Sequence, residues 1–152
     1  MKYMLIMRAT DAALAASQDV DFEEVVNALG AFNEAMIQAD VLRAGEGLSD
    51  AADEANFVVD FSQTPPSVST GAYGPTESLF NGWWILEVAS REEAESWAVR
   101  CPLGPGMKLE VRRIHADEEI AALVSEDNEY IAKEKGWRAE QEQREQAERA
   151  QR

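Results

Sequence analysis

An α+β fold in the ferredoxin-like split βαβ order (βαββαβ), followed by a helical C-terminal extension, is what the sequence predicts. Three observations carry that reading. Short β-branched and aromatic runs keep a two-residue period, two stretches between them keep a helical one, and beyond His115 the composition turns charged and helix-favouring.

"KYMLIMR" (2–8) is apolar enough for a buried strand, with Tyr3, Leu5 and Met7 on one face. "ATDAALAASQDVD" reads as a mobile connection around a helical turn. Phe22, Val25, Val26, Leu29, Phe32, Met36 and Ile37 then recur at three and four residues, one face of an amphipathic helix with Asp21 and Glu24 at its acidic start. "VLRAGEGLS" (41–49) predicts a second strand ending in a glycine turn. "ANFVVDFS" (55–62) sets Phe57, Val59 and Phe61 against Val58 and Asp60, the pattern of a half-buried strand. Pro65 and Pro66 make "QTPPS" a turn, "VST" returns briefly as a strand, and a loop follows at Gly71 and Gly74.

"FNGWWILEV" (80–88) is the strongest strand signal. Its alternation sends Trp84 to the core and Trp83 to the opposite face. Ser90 and Glu93 form a capping box for the next helix, which stripes Ala94, Trp97, Ala98 and Cys101 along one side before "PLGPG" stops it. "MKLEVRRI" (107–114) alternates as a final strand. The organisation is therefore a domain over residues 1–115 and a helical, acidic, partly solvated tail over 116–152, with no large apolar residue after Trp137.

Apolar residues make up 45% and charged residues 28%, ordinary for a globular protein, but 14 basic against 29 acidic side chains leave a net charge of -15. That balance argues against nucleic acid and anionic membrane surfaces as partners, since both are bound by clustered Lys and Arg. The early apolar run is too short for a signal-peptide core or a membrane span. With one cysteine, Cys101, there is no internal disulfide, and the expected location is the cytoplasm. Two helices cover only one face of such a sheet, so Trp83 and Ile85 face away from them. An apolar face of that kind is larger than a soluble monomer normally exposes. A homodimer joined face to face covers it and closes a cavity.

"KYMLIMR", "VLRAGEGL", "LFNGWWILEVASREEAESWAVRCP" and "LEVRRI", in that order over residues 1–115, resemble the YciI-related proteins, in the branch named after a DGPF motif. The resemblance implies a dimeric α/β barrel of ferredoxin-like protomers. It also implies activities of the dehalogenating or muconolactone type among some relatives. The motif falls on Thr70, Gly71, Ala72 and Tyr73, which keep the glycine and an aromatic. A threonine hydroxyl does not titrate near neutrality and cannot replace a carboxylate base. Residues 20–39, the region of the family's proposed acid–base histidine, hold no histidine.

The candidate site residues follow. Glu46 stands between two glycines, where backbone approaches a ligand closely, and is the candidate base; the competing reading is a turn glutamate held by an amide or an arginine. Arg8 and Arg112, with Glu110, line the expected cavity, and arginine's planar fork suits a carboxylate; internal ion pairs are the alternative. Trp83 is a stacking surface or an interface aromatic, and Tyr73 a loop donor. His115, the sole imidazole, reads as a surface residue. Cys101 sits at a helix end, where no dipole lowers its pKa. One His and one Cys thirteen residues apart make no zinc spacing, and Gly71-x-x-Gly74 lacks a phosphate fingerprint, so neither a metal nor a cofactor is implied.

These readings converge on a dimer that holds a small anionic or aromatic metabolite in its interface cavity. The first alternative is a lyase, isomerase or dehalogenase working by proton transfer, with Glu46 as base, Arg8 or Arg112 as anchor and Tyr73 as donor. The second is an accessory protein that binds a partner through its C-terminal helix.

Overall fold

Why two tryptophans sit side by side is answered by the sheet that contains them. The computed structural model describes residues 1–8, 10–17, 20–75, 79–125 and 128–150. Parts of the first connection, of the loop before Phe80 and of the tail therefore lie outside the described residues. The elements run β1 (Lys2–Arg8), α1 (Asp11–Ser17), α2 (Phe22–Gln38), β2 (Leu42–Gly47), β3 (Phe57–Asp60), β4 (Ser67–Thr70), β5 (Phe80–Glu87), α3 (Arg91–Ala98), β6 (Lys108–Arg113), α4 (Asp117–Ala121) and α5 (Glu129–Ala150). They form two compact units, Met1–Ile114 and His115–Arg152.

In the first unit four strands make an antiparallel sheet in the order β2-β5-β1-β6. Counted without β3 and β4, that is the split βαβ order, in which β1 and β2 lie parallel with β5 between them. β3 and β4 form a separate two-stranded hairpin inserted between β2 and β5.

The buried core lies between one face of the sheet and helices α2 and α3. Tyr3, Leu5, Trp84 and Leu86 meet Phe32 and Met36 from α2 and Ala94 and Trp97 from α3. Phe32 stands edge-on to both Trp84 and Trp97, with ring centroids 6.0 and 6.4 Å apart. The Trp84 indole N–H donates to Asn33 Oδ1 at 2.9 Å, so this indole loses no hydrogen bond on burial. Leu5, Met36 and Leu86 are fully enclosed, and each stabilises the fold by about 2 kcal/mol through removal from water.

Each helix starts where its chemistry says it should. The Asp21 carboxylate accepts the Glu23 amide at 2.9 Å, and at α3 Ser90 Oγ accepts the Glu93 amide at 3.2 Å while the Glu93 carboxylate reaches back to accept the Ala89 amide at 2.7 Å.

Three expectations need correcting. On α2 only Phe32 and Met36 are buried, while Phe22, Val26 and Ile37 are exposed. At 3.6 residues per turn Val25, Leu29, Phe32 and Met36 share one narrow arc, and the other three fall to one side of it. The first connection contains a helix, tied down where Thr10 Oγ1 donates to Gly106 O at 2.7 Å and accepts the Ala13 amide at 3.0 Å. The strand at 57–60 turns its apolar side outward instead of half-burying it. β3 pairs only with β4 among the described residues, and Phe57 and Val59 stand exposed.

Unit His115–Arg152 consists of α4 and the 22-residue α5. Glu129–Lys133 and Glu134–Arg138 pair at i, i+4 along α5, and Arg138 also reaches Asp117 at 3.4 Å. Such pairs contribute about 0.3–0.5 kcal/mol each. Among the described residues, no helix is long and apolar enough to cross a membrane.

Candidate functional site: the sheet face opposite the helices

Register decides which side chains share this face. Paired residues of antiparallel strands leave the sheet on the same side. Glu46 pairs with Trp83, Trp83 with Ile6, and Ile6 with Glu110, so one row crosses β2, β5, β1 and β6. The next row is Ala44, Ile85, Met4 and Arg112. Arg8 and Lys108 pair in the row beyond Glu110. The face thus has an apolar middle and charged ends. Ile6 is 9% exposed, and Met4, Trp83 and Ile85 are partly buried.

The ends differ in kind. At the β6 side Glu110 lies between two guanidinium groups, 3.8 Å from Arg8 and 3.9 Å from Arg112. At such separations with partial exposure the pairs are loose. At the β2 side Glu46 is exposed, and its carboxylate makes no hydrogen bond or ion pair among the described residues. Three interstrand spacings, about 14 Å of backbone, separate the two edges. Arg8, Glu110 and Arg112 are brought together, then, while Glu46 faces them across Trp83 and Ile6.

Glycines at the β2 edge serve the packing. A Cβ on Gly45 would stand 2.7 Å from Trp84 Cδ1, so glycine there lets β2 lie against the indole. Gly82 meets Glu46 O in the same way, at 3.1 Å. A bulge at residue 43 turns Arg43 toward Glu87, which it bonds at 2.9 Å. The Arg43 hydrogen bond holds the Glu87 carboxyl below its usual range, and Glu87 raises Arg43 in turn. Sequence reading passed over this pair, because alternation assigns Arg43 no partner until the bulge is known.

Tyr73 is 73% exposed on the loop after β4. No hydrogen bond or ring contact joins it to Glu46, Arg8, Trp83 or Arg112 among the described residues. Gly71, two residues before it, has φ +100°, a conformation that favours glycine, and donates its amide to Asn56 O at 2.8 Å.

His115 is exposed, with Nδ1 3.6 Å from Glu119. Cys101 is half-buried after α3, and burial pushes its thiol up to about 11, which leaves almost no thiolate at neutral pH. Among the described residues no group of three or more His, Cys, Asp or Glu side chains is placed to hold a metal ion.

Comparison with known proteins adds the following. The family model of the YCII-related domain matches residues 1–116. No curated protein matches the sequence. Among solved structures similar to this chain is 5-chloro-2-hydroxyhydroquinone dehydrochlorinase from Burkholderia phenoliruptrix, in complex with 2,5-dihydroxybenzoquinone. It is 15% identical, with a TM-score of 0.40 over 78% of this chain and 98% of that one.

Proposed function

The chain belongs to the YCII-related domain family, and from that premise we propose that it binds a small anionic aromatic molecule on the sheet face opposite its helices, which a second copy covers to make a dimeric barrel. The observation that carries this reading is the row Glu46–Trp83–Ile6–Glu110, a flat apolar middle with an arginine pair at one end and a lone carboxylate at the other. Trp83 supplies a ring face for an aromatic ligand. Arg8 and Arg112 take its carboxylate or phenolate, exchanging a loose bond to Glu110 for a closer one to the ligand. Burial by a second subunit strengthens these contacts, since they weaken in high dielectric. Within the family, Thr70-Gly71-Ala72-Tyr73 reads as a degenerate DGPF motif, and the protein is expected in the cytoplasm.

Sedimentation at micromolar concentration together with calorimetric titration of small aromatic carboxylates tests the reading. A dimer that binds such a ligand, and loses about tenfold or more in affinity on Trp83→Ala or Arg112→Gln, is expected. A stable monomer that binds none of them would sink it.

A second reading rests on the freedom of Glu46. A carboxylate with no cation paired to it among the described residues is available to take a proton from a ligand lying over Trp83, with Tyr73 as a loop donor. Glu46→Gln then abolishes turnover of that ligand and leaves its binding intact, whereas full retained turnover removes Glu46 from the chemistry.

A further inference from the structure

The β3–β4 hairpin shows its apolar side to solvent. Phe57 pairs with Thr70 and Val59 with Val68, so these four share one face, while Val58, Asp60, Ser67 and Ser69 share the other. Phe57 is 66% exposed, Val68 67% and Val59 37%, and Phe61 just beyond β3 is 78% exposed. Val58, on the more polar face, is half-buried. The arrangement inverts the usual one for a strand pair at a surface, in which apolar residues turn inward. The outer edges of β3 and β4 also have no ladder partner among the described residues, and a two-stranded ribbon by itself is marginally stable in water.

Charge says what the occupant is. Every charged residue between Arg43 and Arg91 is acidic, so the hairpin and the segments leading to and from it form a stretch without a single cation. Asp50 and Asp53 shape the turn before β3 by accepting the amides of Ala52 and Ala55, and the Asp60 carboxylate accepts the Ser62 amide at 2.8 Å. An acidic segment, the same cation-free stretch of a second copy included, meets repulsion here. A chain bearing Lys or Arg meets attraction, and Phe57 and Phe61 offer ring faces to those cations.

We propose that the outer face of the β3–β4 hairpin docks a cationic segment of another protein, one that interleaves Lys or Arg with aliphatic residues. Its aliphatic side chains lie on Phe57, Val59 and Val68, its backbone adds to a free edge of the hairpin, and from that edge its cations reach Asp60 on the other face and the acidic turn at Asp50 and Asp53. The site lies in the hairpin and does not depend on the ligand reading of the main sheet.

The test uses the full chain and a fluorescein-labelled synthetic peptide alternating Lys with Leu and Val, against the same peptide with Glu for Lys. Anisotropy should report saturable binding of the cationic peptide and none of the acidic one. Affinity should fall by about tenfold or more in the Phe57→Ser/Val68→Ser double variant, and again in Val68→Lys, with circular dichroism unchanged because these side chains are already in water. Hydrogen exchange should slow across residues 57–70 on binding. Equal binding by both variants would show attraction to net charge without the hairpin and overturn the proposal, as would no binding to the wild type. A wild-type dimer that the double variant dissociates would make the occupant a second copy. Loss in that variant of co-sedimentation with phosphatidylcholine vesicles would make it a lipid surface. Either result also overturns the proposal.

Discussion

Replacing Gly45 with alanine isolates the fit between β2 and the core. A methyl group there would stand 2.7 Å from Trp84 Cδ1, 3.3 Å from Nε1 and 3.2 Å from the Trp83 carbonyl oxygen. Carbon atoms prefer about 3.5–4.0 Å, so the indole must retreat by nearly an ångström. It has little room to do so. Its N–H is bonded to Asn33 at 2.9 Å and its ring stands edge-on to Phe32. Overpacking of this kind costs about 1–3 kcal/mol, and stretching the Asn33 bond adds up to about 1 kcal/mol. Glycine to alanine in a strand otherwise gains about 0.5–1 kcal/mol, so the sign itself is informative. Urea denaturation followed by far-ultraviolet circular dichroism should show Gly45→Ala less stable by about 2 kcal/mol. In a Trp84→Leu background the same change should cost little, a coupling of about 1–2 kcal/mol. An unchanged midpoint, or an equal loss in both backgrounds, would refute the contact as the cause.

Three other outcomes follow from the same geometry. Because Arg43 lowers the Glu87 carboxyl, the pair's stabilisation is complete above the unfolded value near pH 4.3 and is lost as pH falls through the folded value. Arg43→Gln should flatten that part of the acid limb and cost at most about 1 kcal/mol at pH 7, since both side chains are partly exposed; an unaltered acid limb would contradict the coupling. The Cys101 thiol, raised to about 11, should alkylate with iodoacetamide at pH 8 about a hundredfold more slowly than a free thiol, and normally once the chain is unfolded in urea. Ser90→Ala should destabilise the first unit by about 1 kcal/mol in the same denaturation assay through loss of the α3 cap, with Ser90→Asp restoring most of it.

Much of the architecture is legible in local chemistry. Alternation in residues 2–8, 80–88 and 107–114 and helical spacing in 22–38 and 90–98 depend on the chain's own periodicity, and they yield the antiparallel α+β sheet with Trp84 inward. Asp21 and Ser90 mark helix starts because a cap is a contact two or three residues long. The family likewise shows in the ordered runs of residues 1–115.

What local pattern leaves open is which strand lies beside which, and everything that depends on register. Period-two alternation assigns "ANFVVDFS" an apolar side but not a neighbour, so only the paired structure shows β3 tied to β4 alone among the described strands, with Phe57 and the following Phe61 in water. The same holds for the candidate site. Arg8, Glu46, Glu110 and Arg112 all fall on one face by alternation. Strand order then sets Glu46 at one edge and the arginines near the other, with Trp83 and Ile6 between. The bulge that aims Arg43 at Glu87 exists only in the pairing of β2 with β5. The chain determined by itself what each segment becomes, because propensity and capping act over a few residues. Tertiary structure decided which charges meet, because register is a property of two strands and is set where their side chains pack.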